Sequence, residues 1–201
     1  MIVDVINTRM EEQYPLNRKW KIWEMWNQNK SNSFNFTDNM QEIGEFDSIY
    51  TFWQHWNYFP HADPAALFEN PTSKVKVIVE GLNQSIEAIG VFQDKIVPAW
   101  EDETNKKGCD LCIRKYPADF RKLKEYWDKL VISMIGESFP YSEEITGCRV
   151  VDKKHNYKFE LWLKYDLSHD SSEKTTGIKN AFLEILNAAQ CTITVSPHNH
   201  N

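Results

Sequence analysis

The sequence predicts an α+β fold, an antiparallel sheet with helices on one face, and three observations predict it. Segments of strand-like alternation are interleaved with three segments of helical periodicity. The regular strand-then-helix order of a parallel sheet is missing. With only seven glycines, a Gly-rich phosphate turn of a doubly wound fold has no obvious place to sit.

The elements follow in order. Residues 1–13 are polar and read as a flexible N-terminal arm, which leaves 14–201 as one domain, long enough to bury a core. Arg18 to Trp26, RKWKIWEMW, alternates as a strand. An Asn- and Ser-rich loop holding Phe34 and Phe36 comes next. Asp47 suits the N-cap of a helix in which Ile49, Phe52, Trp53 and Trp56 recur at helical spacing, bounded by Pro60 and Pro64. Residues 60–86 are harder to place, and KVKVIVEG is either a short strand or an irregular insertion. DKIVPAWEDETNKKG reads as a loop and CDLCIRKY as a short strand. Residues 118–135 form the clearest helix, with Phe120, Leu123, Trp127, Leu130, Val131 and Met134 on one face. RVVDKKHNYKFELWLKY reads as a hairpin turning at His155-Asn156, residues 172–188 as a helix, and TITV as the last strand.

Composition narrows the function. A net charge of −6 argues against coating nucleic acid by bulk electrostatics, so any such contact is local and chemically specific. No apolar run approaches the roughly 18 residues of a membrane span, and MIVDVINTRM lacks the pattern of a signal peptide. The expectation is a soluble cytoplasmic protein with no membrane partner. Four cysteines do not make a disulfide framework in such a chain. Eight tryptophans are mostly core, but a few can form stacking surfaces.

Two constellations carry chemistry. With a two-residue turn, Lys153 opposes Lys158 and Arg149 opposes Trp162, and Arg149, Val151, Lys153, Lys158, Glu160 and Trp162 share one face. Opposed lysines favour an anion such as phosphate between them, although a solvated hairpin tip explains the pattern as well. The second constellation is Trp100-Glu101-Asp102-Glu103 after Pro98. An exposed indole can stack on guanine while the next carboxylate accepts from N1–H and the N2 amine. On an N7-methylated base, rings on both faces add cation–π attraction, and the Phe34/Phe36 loop offers the second ring. The alternatives are a core Trp100 in a solvated turn, or acids holding Mg²⁺ for hydrolysis.

Cys109-Asp110-Leu111-Cys112 invites zinc, but residues three apart on a strand face opposite ways. A second ligand pair is missing, His198 and His200 being read as a polar tail. No metal or cofactor is expected. No Ser/His/Asp triad or HExxH helix is present, and the chain is not expected to be an enzyme.

These residues resemble the eukaryotic translation initiation factor 4E family over nearly all of 14–198. Tyr14-Pro15-Leu16 precedes the strand with Trp20 and Trp23, and Phe46-Asp47 with Phe52-Trp53 follows. Pro98-Ala99-Trp100-Glu101-Asp102-Glu103 with Asn105, Trp127, Ile135-Gly136-Glu137-Ser138-Phe139, Gly147 and Leu161-Trp162 complete the series. The resemblance implies a curved antiparallel sheet with three helices on its convex face and an mRNA cap site on the concave side. It makes Trp100 a stacking ring, Glu101 the guanine-reading carboxylate, and Trp162 the contact to the N7 methyl. Lys153 and Lys158 hold the triphosphate, and His155 replaces another basic position. The other stacking ring falls on Phe36, with Phe34 and Trp26 as fallbacks. Asp110 stands where the family has an arginine. The 60–85 insertion is what a kinetoplastid-type paralogue facing a hypermethylated cap would show.

On the other face, the resemblance places Pro15, Ile49, Trp53, Val131 and Ile132 where a scaffold factor 4G-like protein or a 4E-binding protein docks a helix. Asp128 and Lys129 depart from the family there, and the reversed charge at Lys129 implies a partner motif of altered sequence. Three functions follow: a cap-binding module that recruits a scaffold for translation initiation, a partner-binding repressor paralogue with weak cap affinity, or a Mg²⁺-dependent nucleotide hydrolase.

Overall fold

The structure is a computed structural model, and it describes residues 14–27, 39–58, 62–69, 72–73, 75–79, 81, 83–116, 120–153, 156–167 and 172–198. Among the described residues eight strands form one antiparallel sheet: β1 (Pro15–Trp26), β2 (Met40–Ser48), β3 (Ile78–Val79), β4 (Gln84–Gln93), β5 (Cys109–Lys115), β6 (Ile145–Asp152), β7 (Tyr157–Leu163) and β8 (Thr194–Pro197). Their order is β2-β1-β4-β6-β7-β5-β8, with β3 paired to β4. Register shifts interrupt β1 beside Trp23 and Trp26 and β6 before Gly147, and such bulges add twist and curvature to a sheet.

Alternation sorts each strand between two cores. Trp20 and Ile22 of β1 join Leu111, Ile113, Phe159 and Leu161 in the large core under the helices. Met25, Ala88, Phe92, Ile96, Val151 and Trp162 form a smaller cluster on the opposite face. The helical face is closed by α1 (Ile49–Tyr58), α3 (Phe120–Ile135) and α4 (Glu173–Ile185), the three helices read from periodicity. A fourth, the short α2 (Pro64–Phe68), lies in the segment read as an insertion, with Pro64 in its first turn where a missing N–H costs nothing. Of KVKVIVEG, Ile78–Val79 pairs with β4 and Lys76 bridges Glu69.

The cap of α1 is Ser48, not Asp47. Strand β2 runs through Ser48, whose Oγ accepts from Thr51 N (3.1 Å), while Thr51 Oγ1 accepts from Ser48 N (3.1 Å). Replacing Ser48 with alanine is expected to cost about 1 kcal/mol in urea denaturation, whereas Asp47→Ala should cost little.

The IGESF string ends α3. Glu137 is in the left-handed region (φ 55°), Ser138 N donates to Ser133 O (2.9 Å), and Glu137 N to Met134 O (3.2 Å). This pair of bonds closes a helix C-terminus, usually around glycine. Here Glu137 occupies the position and its carboxylate meets Arg18 (3.0 Å) and Asn17 (2.8 Å), so α3 is pinned to β1.

Candidate functional site

The loop between β4 and β5 is built to present two side chains. Asp102 turns inward, its carboxylate accepting from Val97 N (3.0 Å) and Thr104 N (2.9 Å). Asn105, 0% exposed, donates to the carbonyls of Val97 and Ala99, both at 3.1 Å. Gly108 passes so close to β7 that a Cβ there would lie 1.9 Å from the Leu163 carbonyl oxygen, so only glycine fits. With the loop held from inside, Trp100 (36% exposed) and Glu101 face outward.

They face the hairpin. One cleft of about 390 Å³ is lined by Trp100, Glu101, Arg149, Val151, Lys153, Lys158, Glu160 and Trp162. The structure thus brings together the two constellations and all six residues predicted to share a hairpin face. The pairing within the hairpin differs: Val151 opposes Lys158, Arg149 opposes Glu160 and Gly147 opposes Trp162. The ladder ends at Asp152–Tyr157, beyond which Lys153 N donates to Asn156 O (2.9 Å), so the connection is four residues rather than two. Lengthening it by two moves the register but preserves which side chains share a face.

The new register changes the electrostatics. Instead of two opposed lysines, the floor holds a compensated cluster in which Arg149 Nε donates to Glu160 Oε2. Lys158 Nζ lies 2.6 Å from Glu160 Oε1 and 3.5 Å from Asp110 Oδ2. Burial pushes the Glu160 carboxyl up, but Arg149 and Lys158 together outweigh it and bring it down to about 2. Burial likewise works against the charge on Lys158, yet Glu160 and Asp110 hold its pKa above the ordinary value. Lys153, nearer solvent, pairs with Glu87 at 2.8 Å.

Trp162 is placed deeper than the sequence reading put it. It is 0% exposed, donates Nε1–H to Glu160 (2.9 Å), and is covered by the Arg149 guanidinium 4.8 Å from its ring. A ligand methyl reaches it only if Arg149 moves aside. Phe36, Phe34 and His155 lie outside the described residues. The fallback ring Trp26 is half-buried against the helix-side core.

His198, read as polar tail, packs behind two residues of the site. Its ring stacks on Trp100 (centroids 6.0 Å, 18°), approaches Trp162 at 4.5 Å, and bonds through Nδ1 to Asn105 O (2.8 Å). The signal for it was the alternation of TITVS. Thr194 and Ser196 oppose Cys112 and Asp110, and two residues on, past Pro197, stands His198.

The acids of the loop do not converge as a metal site. Asp102 is used by the loop backbone, Glu103 pairs with Lys106, and no cluster of three ligating side chains occurs among the described residues. The CxxC splits across β5, with Cys109 in the helix-side core. Burial pushes the Cys109 thiol up to about 12 and that of Cys112 up to about 11.

On the helical face, Ile49 (47% exposed), Trp53 (42%) and Ile132 (40%) are presented to solvent with Pro15. Val131 is 0% exposed and packs in the core, which removes it from this surface. Asp128 turns inward, accepting from Trp56 Nε1 (2.8 Å) and pairing with Lys124 (2.6 Å). Lys129 pairs along its own helix with Glu125 (2.6 Å).

Fold and cleft together define a class: a single antiparallel sheet whose one face is sealed by helices and whose other carries an aromatic, carboxylate and basic pocket. The family model described as Eukaryotic initiation factor 4E matches residues 15–201, and the chain belongs to that family. Relatives include the eukaryotic translation initiation factors 4E of Dictyostelium discoideum, 27% identical over 92% of this chain, and of Aplysia californica, 30% identical over 83%. The chain spans 65% of the length of the first and 68% of the second. Among solved structures, C. elegans eIF4E-3 in complex with the 4E-binding protein Mextli and a cap analog aligns with a TM-score of 0.72 at 21% identity, covering 92% of each chain. Ascaris suum eIF4E-3 with an m2,2,7G cap aligns with a TM-score of 0.70 at 22% identity, covering 94% and 93%. No helix among the described residues is long and apolar enough to cross a membrane.

Proposed function

We propose that this chain is a non-enzymatic, cytoplasmic protein that binds the 7-methylguanosine 5′ cap of mRNA and recruits a scaffold protein for translation initiation. The observation that carries the reading is the single cleft into which an outward indole, the carboxylate next to it and a basic hairpin face all open. Trp100 is the stacking ring and Glu101 reads the N1 and N2 edge of the base. Phe36 is the candidate for the opposite ring, and Arg149, Lys153 and Lys158, with His155, form the phosphate side. The C. elegans and Ascaris proteins were solved with caps, which supports the ligand class. The test is retention on immobilised 7-methylguanosine triphosphate. Elution by free cap analogue but not by GTP supports the reading, and failure to be retained counts against it.

The partner surface of this reading is Pro15, Ile49, Trp53 and Ile132, the kind of patch into which a short amphipathic helix docks. A 4E-binding protein accompanies the C. elegans neighbours. Trp53→Ala is expected to weaken binding of a 4G-like helical peptide by roughly 2 kcal/mol or more, about 30-fold, while urea stability and cap retention stay unchanged. Equal peptide affinity in wild type and variant would move the partner site elsewhere.

A second reading, a partner-binding repressor with weak cap affinity, is favoured by the compensated floor, where Lys158 already has Glu160 and Asp110. It predicts strong partner capture with poor retention on the cap resin.

A further inference from the structure

Asp110 lies behind the cleft floor, in ion-pair range of the lining residue Lys158. It is 0% exposed, and neither of its oxygens has a hydrogen bond among the described residues. A buried carboxylate without hydrogen bonds is costly, and the cation beside it is Lys158. Oδ2 faces Lys158 Nζ at 3.5 Å, and Oδ1 faces His198 Nε2 at 3.6 Å.

Among the described residues the lysine, arginine and carboxylate charges of the floor pair off. Arg149 and Lys158 are matched by Glu160 and Asp110, and Lys153 is matched by Glu87. A phosphate arriving beside Lys158 meets two carboxylates within 4 Å of the same ammonium. Its attraction to the cation is offset by repulsion from them, at separations where such terms nearly cancel. The base is met elsewhere, by the outward-facing Trp100 and Glu101.

We propose that Asp110 is a specificity-determining residue that offsets the charge of Lys158, so that the cleft selects its ligand by the methylated base and takes little from phosphate number. The proposal rests on the cap-binding reading. Its ligand class is a 7-methylguanine nucleotide whose monophosphate binds nearly as well as its triphosphate.

Calorimetric titration with 7-methylguanosine 5′-monophosphate and 5′-triphosphate at fixed salt tests it. Wild type is expected to bind the two within about threefold. In the isosteric Asp110→Asn the triphosphate should gain roughly tenfold while the monophosphate is unchanged, since Lys158 is then only half compensated. Should that variant not fold, Lys158→Gln is the second arm: with Asp110 then unmatched, the triphosphate is expected to lose roughly tenfold relative to the monophosphate, and an unchanged ratio there counts equally against the role of Asp110. A wild-type triphosphate advantage of about 100-fold, or an unchanged ratio in Asp110→Asn, overturns the role of Asp110 and leaves cap binding standing. If neither nucleotide binds, the cap-binding reading falls and this inference with it.

Discussion

Trp100→Ala and Glu101→Gln are each expected to lower affinity for a 7-methylguanosine cap analogue by about 30- to 100-fold, with the fold intact. Stacking of one base on an aromatic ring is worth roughly 1–3 kcal/mol, and a positive charge on the base adds a cation–π term. A carboxylate taking two hydrogen bonds from guanine discriminates by roughly 1–3 kcal/mol. Both side chains project from a loop held by Asp102, Asn105 and Gly108, none of which the substitutions touch. Circular dichroism and the urea midpoint should match wild type, while calorimetry shows the loss. Undiminished affinity in either folded variant would mean that the base sits elsewhere.

The second large effect is on stability. Arg149→Met removes the guanidinium that meets Glu160, whose side chain is 1% exposed, and leaves Lys158 and the Trp162 N–H against that buried carboxylate. Breaking a buried pair from one side costs roughly 3–5 kcal/mol, and the surviving Lys158 puts the expectation near 3 kcal/mol. The same pair sets an acid dependence. The folded-state pKa of Glu160 is lowered from 4.5 to about 2, so its contribution is complete above 4.5 and is lost as pH falls through 2. That contribution is on the order of 3 kcal/mol, read as the difference in urea stability between pH 6 and pH 2.5 for wild type against Glu160→Gln. The variant is expected to show the shallower fall over that interval. Parallel curves would mean that the carboxylate is not held by its neighbours.

Much of this site was legible because strand periodicity is strict. Arg149, Val151, Lys153, Lys158, Glu160 and Trp162 were placed on one face from alternation, and they line one cleft. Their cross-strand partners were not legible, because a turn of two residues and one of four preserve facing while shifting every pair. That shift turned two opposed lysines into an Arg149–Glu160 pair and reversed the view of the floor from anion-seeking to compensated. His198 escaped because Pro197 and the run of polar residues around it mimic a tail, although β8 carries the alternation up to it. The depth of Trp162 also lay beyond the sequence, since its cover comes from Arg149 and His198 on neighbouring strands and beyond. On the helical face, periodicity located α1, α3 and α4, but it could not separate Val131, which points into the core, from its exposed neighbour Ile132. Asp128 was read as a partner-facing departure, and it is instead the acceptor that ties Trp56 of α1 to α3.

The most direct test of the central claim is a crystal structure of the chain with a 7-methylguanosine cap analogue. The base is expected stacked on Trp100 at about 3.5 Å, with the Glu101 carboxylate on its N1 and N2 edge and the phosphates directed toward the hairpin. A base bound away from Trp100, or one whose Watson–Crick edge is met by some group other than Glu101, would contradict it.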